Sequence, residues 1–130
     1  MSSVLESVKW GKPILSLIKQ MQQLDPNLAS IMHIRHTERL VTELGSPEGL
    51  KTLSTDQGKK AAHELGTRLP SNRNYRFYHT YIERSKETAI EILKGLNTTN
   101  ADSELIGAIS LSSVVNRAKF SEIARKETRN

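Results

Sequence analysis

The sequence predicts an α/β fold, a three-layer arrangement with helices on both faces of a mainly parallel sheet. Short apolar or alternating runs, each the length of a strand, alternate along the chain with longer segments of helical periodicity. The four prolines and seven glycines fall between these segments. A length of 130 residues suits one core, so we expect a single domain over residues 1–130.

The first predicted elements are a helix over residues 13–24 and a strand over residues 28–34. Pro13 suits the first turn of a helix, apolar residues follow at helical spacing, and Asp25-Pro26 stops the pattern. Residues 28–34 form a mostly apolar run that is too brief for a helix, so we expect a buried strand. This strand ends in the polar cluster Arg35-His36-Thr37-Glu38-Arg39.

Two further pairs of helix and strand follow a loop over residues 43–53. Ser54 and Gln57 have the spacing of a capping box, which predicts a helix that begins with Ser54 as its cap. Residues 75–79 alternate as a strand does, and a third helix should cover residues 82–96 with Gly95 as its stop. The remaining predicted features are the apolar helix face of Ala61, Ala62, Leu65 and Leu69, a strand over residues 104–111, and a basic helix over residues 117–126.

Composition limits the classes of protein to which the chain can belong. The chain contains no cysteine, which excludes disulfides and thiolate nucleophiles and suits a reducing compartment. No apolar run approaches the length of a membrane span, so we expect a cytoplasmic protein with no membrane partner. The formal charge is +5, and residues 66–130 hold most of the excess, with 11 basic and 7 acidic side chains. An excess of basic side chains attracts anions, from phosphate esters to nucleic acid.

Polar side chains follow the first two predicted strands at their carboxyl ends, where ligands bind in parallel sheets. They are Arg35, His36 and Arg39 after the first strand, and His79, Thr80 and Arg84 after the second. Guanidinium groups bind phosphate oxygens through paired donors and stabilise a phosphoryl group during transfer. A neutral imidazole can attack phosphorus and hold it covalently. We therefore expect a phosphate site with His36 as the nucleophile.

Three short motifs occur in order along the chain. Residues 31–39 are Ile-Met-His-Ile-Arg-His-Thr-Glu-Arg, residues 53–61 are Leu-Ser-Thr-Asp-Gln-Gly-Lys-Lys-Ala, and residues 80–89 contain Thr80-x-x-x-Arg84-x-x-x-Thr88-Ala89. They resemble the Arg-His-Gly-x-Arg, Leu-Thr-x-x-Gly-x-x-x-Ala and Ser-x-x-x-Arg-x-x-x-Thr-Ala segments of the histidine phosphatase superfamily, whose fold is called phosphoglycerate mutase-like. The resemblance covers residues 31–96, so residues 1–28 are expected to form an N-terminal helical addition to an α/β core over residues 29–130.

The resemblance implies a phosphomonoester hydrolase or phosphoryl transferase that forms a phosphohistidine on His36. It implies Arg35, Arg39 and Arg84 as catalytic and substrate-binding phosphate ligands, and Thr80 at the place of the family's serine. It implies a small-molecule phosphate ester or other phosphorylated substrate, with no metal and no other cofactor. Thr37 stands where the family commonly has glycine.

The chain departs from the family in its second half. Family members are longer and supply a second pocket histidine there, whereas this chain has no histidine after His79. Glu104 is the nearest counterpart of the general acid by position, and it matches poorly. We therefore expect a truncated or divergent member, or a site completed by a partner chain or a second copy. His79 is a candidate substrate-binding substitute for the missing imidazole.

Two other functions are left open by the sequence. A relative that keeps the arginines without complete acid–base machinery would bind phosphorylated ligands without turnover. A small basic nucleic-acid-binding module would use residues 73–81, which mix aromatic residues with arginines, although a half-buried strand explains the same pattern. A metal site at His33 and His36 lacks a cysteine or carboxylate partner, so we expect His33 in the core or on a sheet face.

Overall fold

Four α-helices and a short parallel sheet make up the part of the chain that the structure, a computed structural model, describes: residues 3–38, 54–97 and 103–108. The helices are α1 (Val4–Ser7), α2 (Lys12–Gln23), α3 (Asp56–Arg68) and α4 (Glu83–Leu96), with a 3₁₀ turn over Lys9–Gly11. Strands β1 (Arg76–His79) and β2 (Glu104–Ala108) pair in parallel. The mixed helix and strand class and the parallel pairing are therefore confirmed, whereas the three-layer arrangement stays a prediction. None of the helices in the described part is long and apolar enough to cross a bilayer.

Helices α3 and α4 pack against each other at two glycines. A Cβ on Gly66 would collide with the carbonyl oxygen of Ile92, and a Cβ on Gly95 would collide with that of His63. Gly95 therefore permits close packing inside α4, which continues to Leu96, and the prediction that Gly95 stops this helix is wrong. The apolar face predicted for α3 is confirmed, since all four of its residues are buried: Ala61, Ala62, Leu65 and Leu69.

The N-terminal helices share the core of the α3–α4 pair. Helix α2 confirms the helix predicted over residues 13–24, with Pro13 in its first turn and its last residue at Gln23. Beyond it, Asp25 Oδ1 accepts a hydrogen bond from the backbone N–H of Asn27 at 2.9 Å, which closes a turn. The buried core contains Leu5, Ile18 and Met21 from the N-terminal segment together with residues of α3 and α4.

The buried strand predicted over residues 28–34 is wrong. No strand forms over these residues, and Leu28 and Ile31 are 60% and 89% exposed. Burial alternates from residue 31 onward, so Met32 and Ile34 pack against the core while His33 is exposed. The expectation that His33 lies in the core or on a sheet face is therefore wrong. Successive side chains of an extended chain point to opposite sides, so a single core surface cannot bury consecutive apolar residues.

The remaining elements agree with the sequence to within a residue or two where the structure describes them. The cap of α3 is Thr55, whose Oγ1 accepts a hydrogen bond from Gly58 N at 3.0 Å, so the prediction of Ser54 is wrong by one residue. Strand β1 shows the expected alternation, with Phe77 half-buried between exposed neighbours. The predicted third strand is confirmed as far as Ala108. The loop over residues 43–53, residues 109–111 and the helix over residues 117–126 lie outside the described residues.

Candidate functional site

The polar cluster that follows residue 34 lies against α3 and α4. The backbone N–H of Thr37 donates a hydrogen bond to Thr88 Oγ1 at 3.0 Å, and the Thr37 hydroxyl donates to the carbonyl oxygen of Gly58 at 2.8 Å. Thr88 Oγ1 in turn donates to the carbonyl oxygen of Arg84 at 2.7 Å. This network joins the backbone beside His36 to the first turn of α4.

Glu38 fixes the far end of the described cluster. Its carbonyl oxygen accepts a hydrogen bond from Thr55 N at 2.9 Å, and its Oε2 accepts one from Thr55 Oγ1 at 2.7 Å. A Cβ on Gly58 would lie only 2.6 Å from the carbonyl oxygen of Glu38. The glycine at the start of α3 therefore allows the cluster to approach the helix closely.

Thr37 is accommodated without backbone strain. Its φ is negative, as is that of every other non-glycine residue in the described ranges. A side chain at this position therefore does not disturb the backbone beside His36, and its hydroxyl supplies the hydrogen bond to α3. The Thr37 side chain therefore anchors this segment to α3.

The ring of His36 is half-buried and oriented by the backbone. Its Nδ1 lies 2.8 Å from the carbonyl oxygen of Thr37. A carbonyl oxygen can only accept a hydrogen bond, so Nδ1 carries the proton. In the neutral imidazole the lone pair then resides on Nε2, and the Thr37 carbonyl holds the ring in the tautomer whose Nε2 can act as a nucleophile.

A cavity of about 400 Å³ lies beside His36. Four consecutive residues, 35–38, form its polar side, and Thr88 contributes a hydroxyl. The other described lining residues are apolar and come from the N-terminal helical segment, from α3 and α4, and from Ile34 of the extended segment. A ligand in this cavity would contact residues of the polar segment, His36 among them, and hydrocarbon elsewhere.

The predicted arginines have different environments. Arg35 is exposed and lines the cavity. Arg84 is buried, at 9% exposure, in the first turn of α4 and does not line the cavity, although its backbone is linked to Thr37 through Thr88. Arg39 lies outside the described residues.

His79 is the last residue of β1 and Thr80 follows it, as predicted, but neither lines the cavity. The Nδ1 of His79 donates to the carbonyl oxygen of Thr80 at 2.7 Å. The backbone N–H of Thr80 donates to Ser85 Oγ at 3.1 Å, so this residue holds the first turn of α4. Because residues 28–34 do not join the sheet, the expected meeting of two strand ends is replaced by the bond between Thr37 and Thr88.

Sequence reasoning missed several of these contributions. Glu38 was visible within the polar cluster, and Thr88 within the third motif, but no pattern assigned a contact to either. The apolar walls from Leu5, Trp10 and Ile14 left no local signal, since they come from far along the chain. Glu104 is exposed at the start of β2 and does not line the cavity.

The segment considered for nucleic-acid binding is divided between core and surface. Tyr75 and Phe77 are half-buried against the core with ring centroids 6.3 Å apart, and burial raises the pKa of Tyr75 while the nearby charge of Arg73 opposes this shift. Arg73 also donates to the carbonyl oxygens of Asp25 and Leu28, at 2.6 and 2.9 Å. Its exposed arginine and tyrosine side chains are Arg76, Tyr78 and Tyr81.

A search for metal ligands and the comparisons with known proteins complete the description of the site. Within residues 3–38, 54–97 and 103–108, no three histidine, aspartate or glutamate side chains are grouped as metal ligands. Comparisons with protein-family models, curated proteins and solved structures each find no match to the chain.

Proposed function

We propose that the protein is a phosphomonoester hydrolase or phosphoryl transferase that uses His36 as a covalent nucleophile. The observation that carries the proposal is the network Thr37–Thr88–Arg84, which fixes the segment bearing His36 against α4 beside a cavity. The tautomer imposed by the Thr37 carbonyl supports it further, because it places the lone pair of neutral His36 on Nε2. The resemblance of the three motifs to histidine phosphatases adds the phosphoryl group as the electrophile.

The chemistry requires two displacements. In the first, the Nε2 lone pair attacks phosphorus, a P–N bond forms, the P–O bond to the leaving group breaks, and the leaving oxygen takes a proton. In the second, water attacks phosphorus and loses a proton, while the P–N bond breaks and its electron pair returns to Nε2. The guanidinium group of Arg35 would offset the negative charge of the phosphoryl oxygens. The resemblance gives Arg39 and Arg84 the same role.

Glu38 is the candidate for proton exchange with the leaving oxygen. It is the carboxyl group among the described cavity-lining residues, two positions after His36. Glu38→Gln should lower kcat/KM for an alkyl phosphate by about a hundredfold and for nitrophenyl phosphate much less, because a good leaving group needs no proton. Asp56→Asn, in the exposed first turn of α3, is the matched control. Equal effects of Glu38→Gln on both substrates would remove Glu38 from proton transfer.

The direct test of the nucleophile is His36→Ala. Because His36 lies on an extended segment and is only half-buried, the variant should fold normally and lose phosphatase activity by at least about a thousandfold. His33→Ala removes an exposed imidazole three residues earlier and should leave activity unchanged. Circular dichroism and hydrolysis of nitrophenyl phosphate measure both properties, and retained activity in His36→Ala would end the assignment.

A second candidate function is phospho-ligand binding without turnover. It is favoured by the position of His79, since no second imidazole lines the cavity with His36 among the described residues. In this case phosphate would protect the protein against thermal unfolding, yet purified protein would hydrolyse no ester. Oligonucleotide binding that depends steeply on salt and survives His36→Ala would point instead to the exposed face with Arg76, Tyr78 and Tyr81.

A further inference from the structure

The cavity beside His36 has walls of hydrocarbon drawn from most of the described helices. The apolar lining includes Leu5 of α1, Trp10 of the 3₁₀ turn, Ile14 of α2, Ala62 of α3 and Ile92 of α4. Ligand cavities commonly measure about 300–1,000 Å³, so the volume of about 400 Å³ can hold a ring-sized apolar group.

Among the described lining residues of the cavity, charge occurs only in the polar segment. Of the described residues that line it, only Arg35 and Glu38 carry a formal charge, and both belong to the polar segment. The apolar residues among the described lining offer no cation to a second anionic group on a ligand. A second carboxylate or phosphate placed there would be desolvated without a partner, which is costly.

From this division we propose that the cavity binds the leaving group of the substrate, and that the substrate is a phosphate monoester of an uncharged, apolar alcohol or phenol. This inference rests on the proposed function, since it places the phosphoryl group at His36 and Arg35. The leaving group then extends from His36 toward Trp10 and Ile14. The apolar body supplies binding free energy by burial, and the phosphoryl group supplies orientation.

The chain carries its own reporter for this binding. Trp10 is the single tryptophan of the sequence, lines the cavity and is 38% exposed, so a ligand that enters should change its fluorescence. The probes are methylphosphonate and benzylphosphonate, which have the same charged group and are not hydrolysed. Benzylphosphonate should bind about tenfold to a hundredfold more tightly, because burial of one phenyl ring contributes that factor.

Variants of α2 test whether the difference in affinity between the two phosphonates arises in the cavity. Ile14→Ala should reduce the advantage of benzylphosphonate by about threefold to tenfold and leave methylphosphonate binding unchanged, because one wall loses apolar surface. Leu15→Ala truncates the next residue, which is also half-buried but does not line the cavity, and should leave both affinities unchanged. Isothermal titration calorimetry of both variants reports the same affinities without relying on fluorescence.

The outcomes separate this inference from the proposed function. If both phosphonates bind with equal affinity, the phosphate site exists and the cavity does not receive the leaving group. If neither phosphonate binds while benzyl alcohol does, the phosphoryl site is wrong and the inference falls with it. Tighter binding of benzylphosphonate that is reduced by Ile14→Ala and not by Leu15→Ala supports both.

Discussion

The α3–α4 pair and residues 28–38 are held in opposite ways. The helix pair meets at backbone level, where Gly66 and Gly95 remove every atom that would separate the helices. In residues 28–38 no side chain is fully buried, and the segment is held by individual hydrogen bonds that it makes with Arg73, Thr88 and Thr55. The comparison indicates that the helix pair supplies stability, whereas the extended segment carries the residues for which we propose a chemical role and is positioned by few contacts.

This division predicts separable effects of mutation. Substitutions in the helix contact should change the free energy of unfolding, and substitutions in the extended segment should change activity. Thr88 belongs to both regions, since it is buried in α4 and bonded to Thr37. It is therefore the position at which the two effects should coincide.

The largest effect on stability is expected for Gly95→Ala. The new Cβ would collide with the carbonyl oxygen of His63, so the helices must separate, at a cost of about 3 kcal/mol. Lys94→Ala, at the exposed neighbouring position, should change stability by only a few tenths of a kcal/mol. Urea denaturation measures both, and a similar midpoint for the two variants would contradict the close helix contact.

A smaller loss of stability, accompanied by a loss of activity, is expected for Thr88→Val. The change keeps the shape of the side chain but leaves the Thr37 N–H without its acceptor, which costs about 1–3 kcal/mol. Because the same bond positions the segment of His36, we expect kcat/KM to fall by about tenfold or more. Thr88→Ser retains the hydroxyl and should preserve activity. Full activity in Thr88→Val would show that the segment is positioned by other contacts.

The smallest effect concerns Tyr75, whose pKa is raised above 10.0 by burial and lowered in part by Arg73. The folded state favours the neutral phenol, so the stabilising contribution is present below pH 10 and is lost as the pH rises through the folded pKa. Tyr75→Phe should therefore lose stability less steeply above pH 10. At neutral pH it should cost about 1 kcal/mol, because the hydroxyl no longer donates to the Pro70 carbonyl. Identical slopes for wild type and variant above pH 10 would contradict this.

The sequence predicts local features of the fold well and long-range contacts poorly. Pro13 and Asp25-Pro26 predict the ends of α2 because they restrict the backbone at their own positions. The alternation around Phe77 predicts β1 because it is likewise a local pattern. The strand predicted over residues 28–34 does not form. An apolar run does not indicate whether a neighbouring strand is present to pair with it. The prediction that Gly95 stops α4 is wrong because a glycine near a helix end can either end the helix or permit close packing against another helix.

The candidate site shows the same limit. His36 and Arg35 could be selected from the sequence, since an arginine and a histidine adjacent to an apolar run form a local pattern. The hydrogen bond between Thr37 and Thr88 joins residues that are 51 positions apart in the sequence. The cavity residues Leu5 and Ile14 precede His36 in the sequence and belong to other elements. No periodicity encodes such contacts, because they depend on how the helices pack.

The most direct test of the central claim is to isolate the covalent intermediate. Protein mixed rapidly with a reactive aryl phosphate and quenched in alkali, in which phosphohistidine survives, should carry one phosphoryl group, and peptide mass spectrometry should place it on His36. The account predicts this modification in wild type and in His33→Ala and its loss in His36→Ala. Steady hydrolysis with a phosphoryl group on another residue, or with none at His36, would contradict the account.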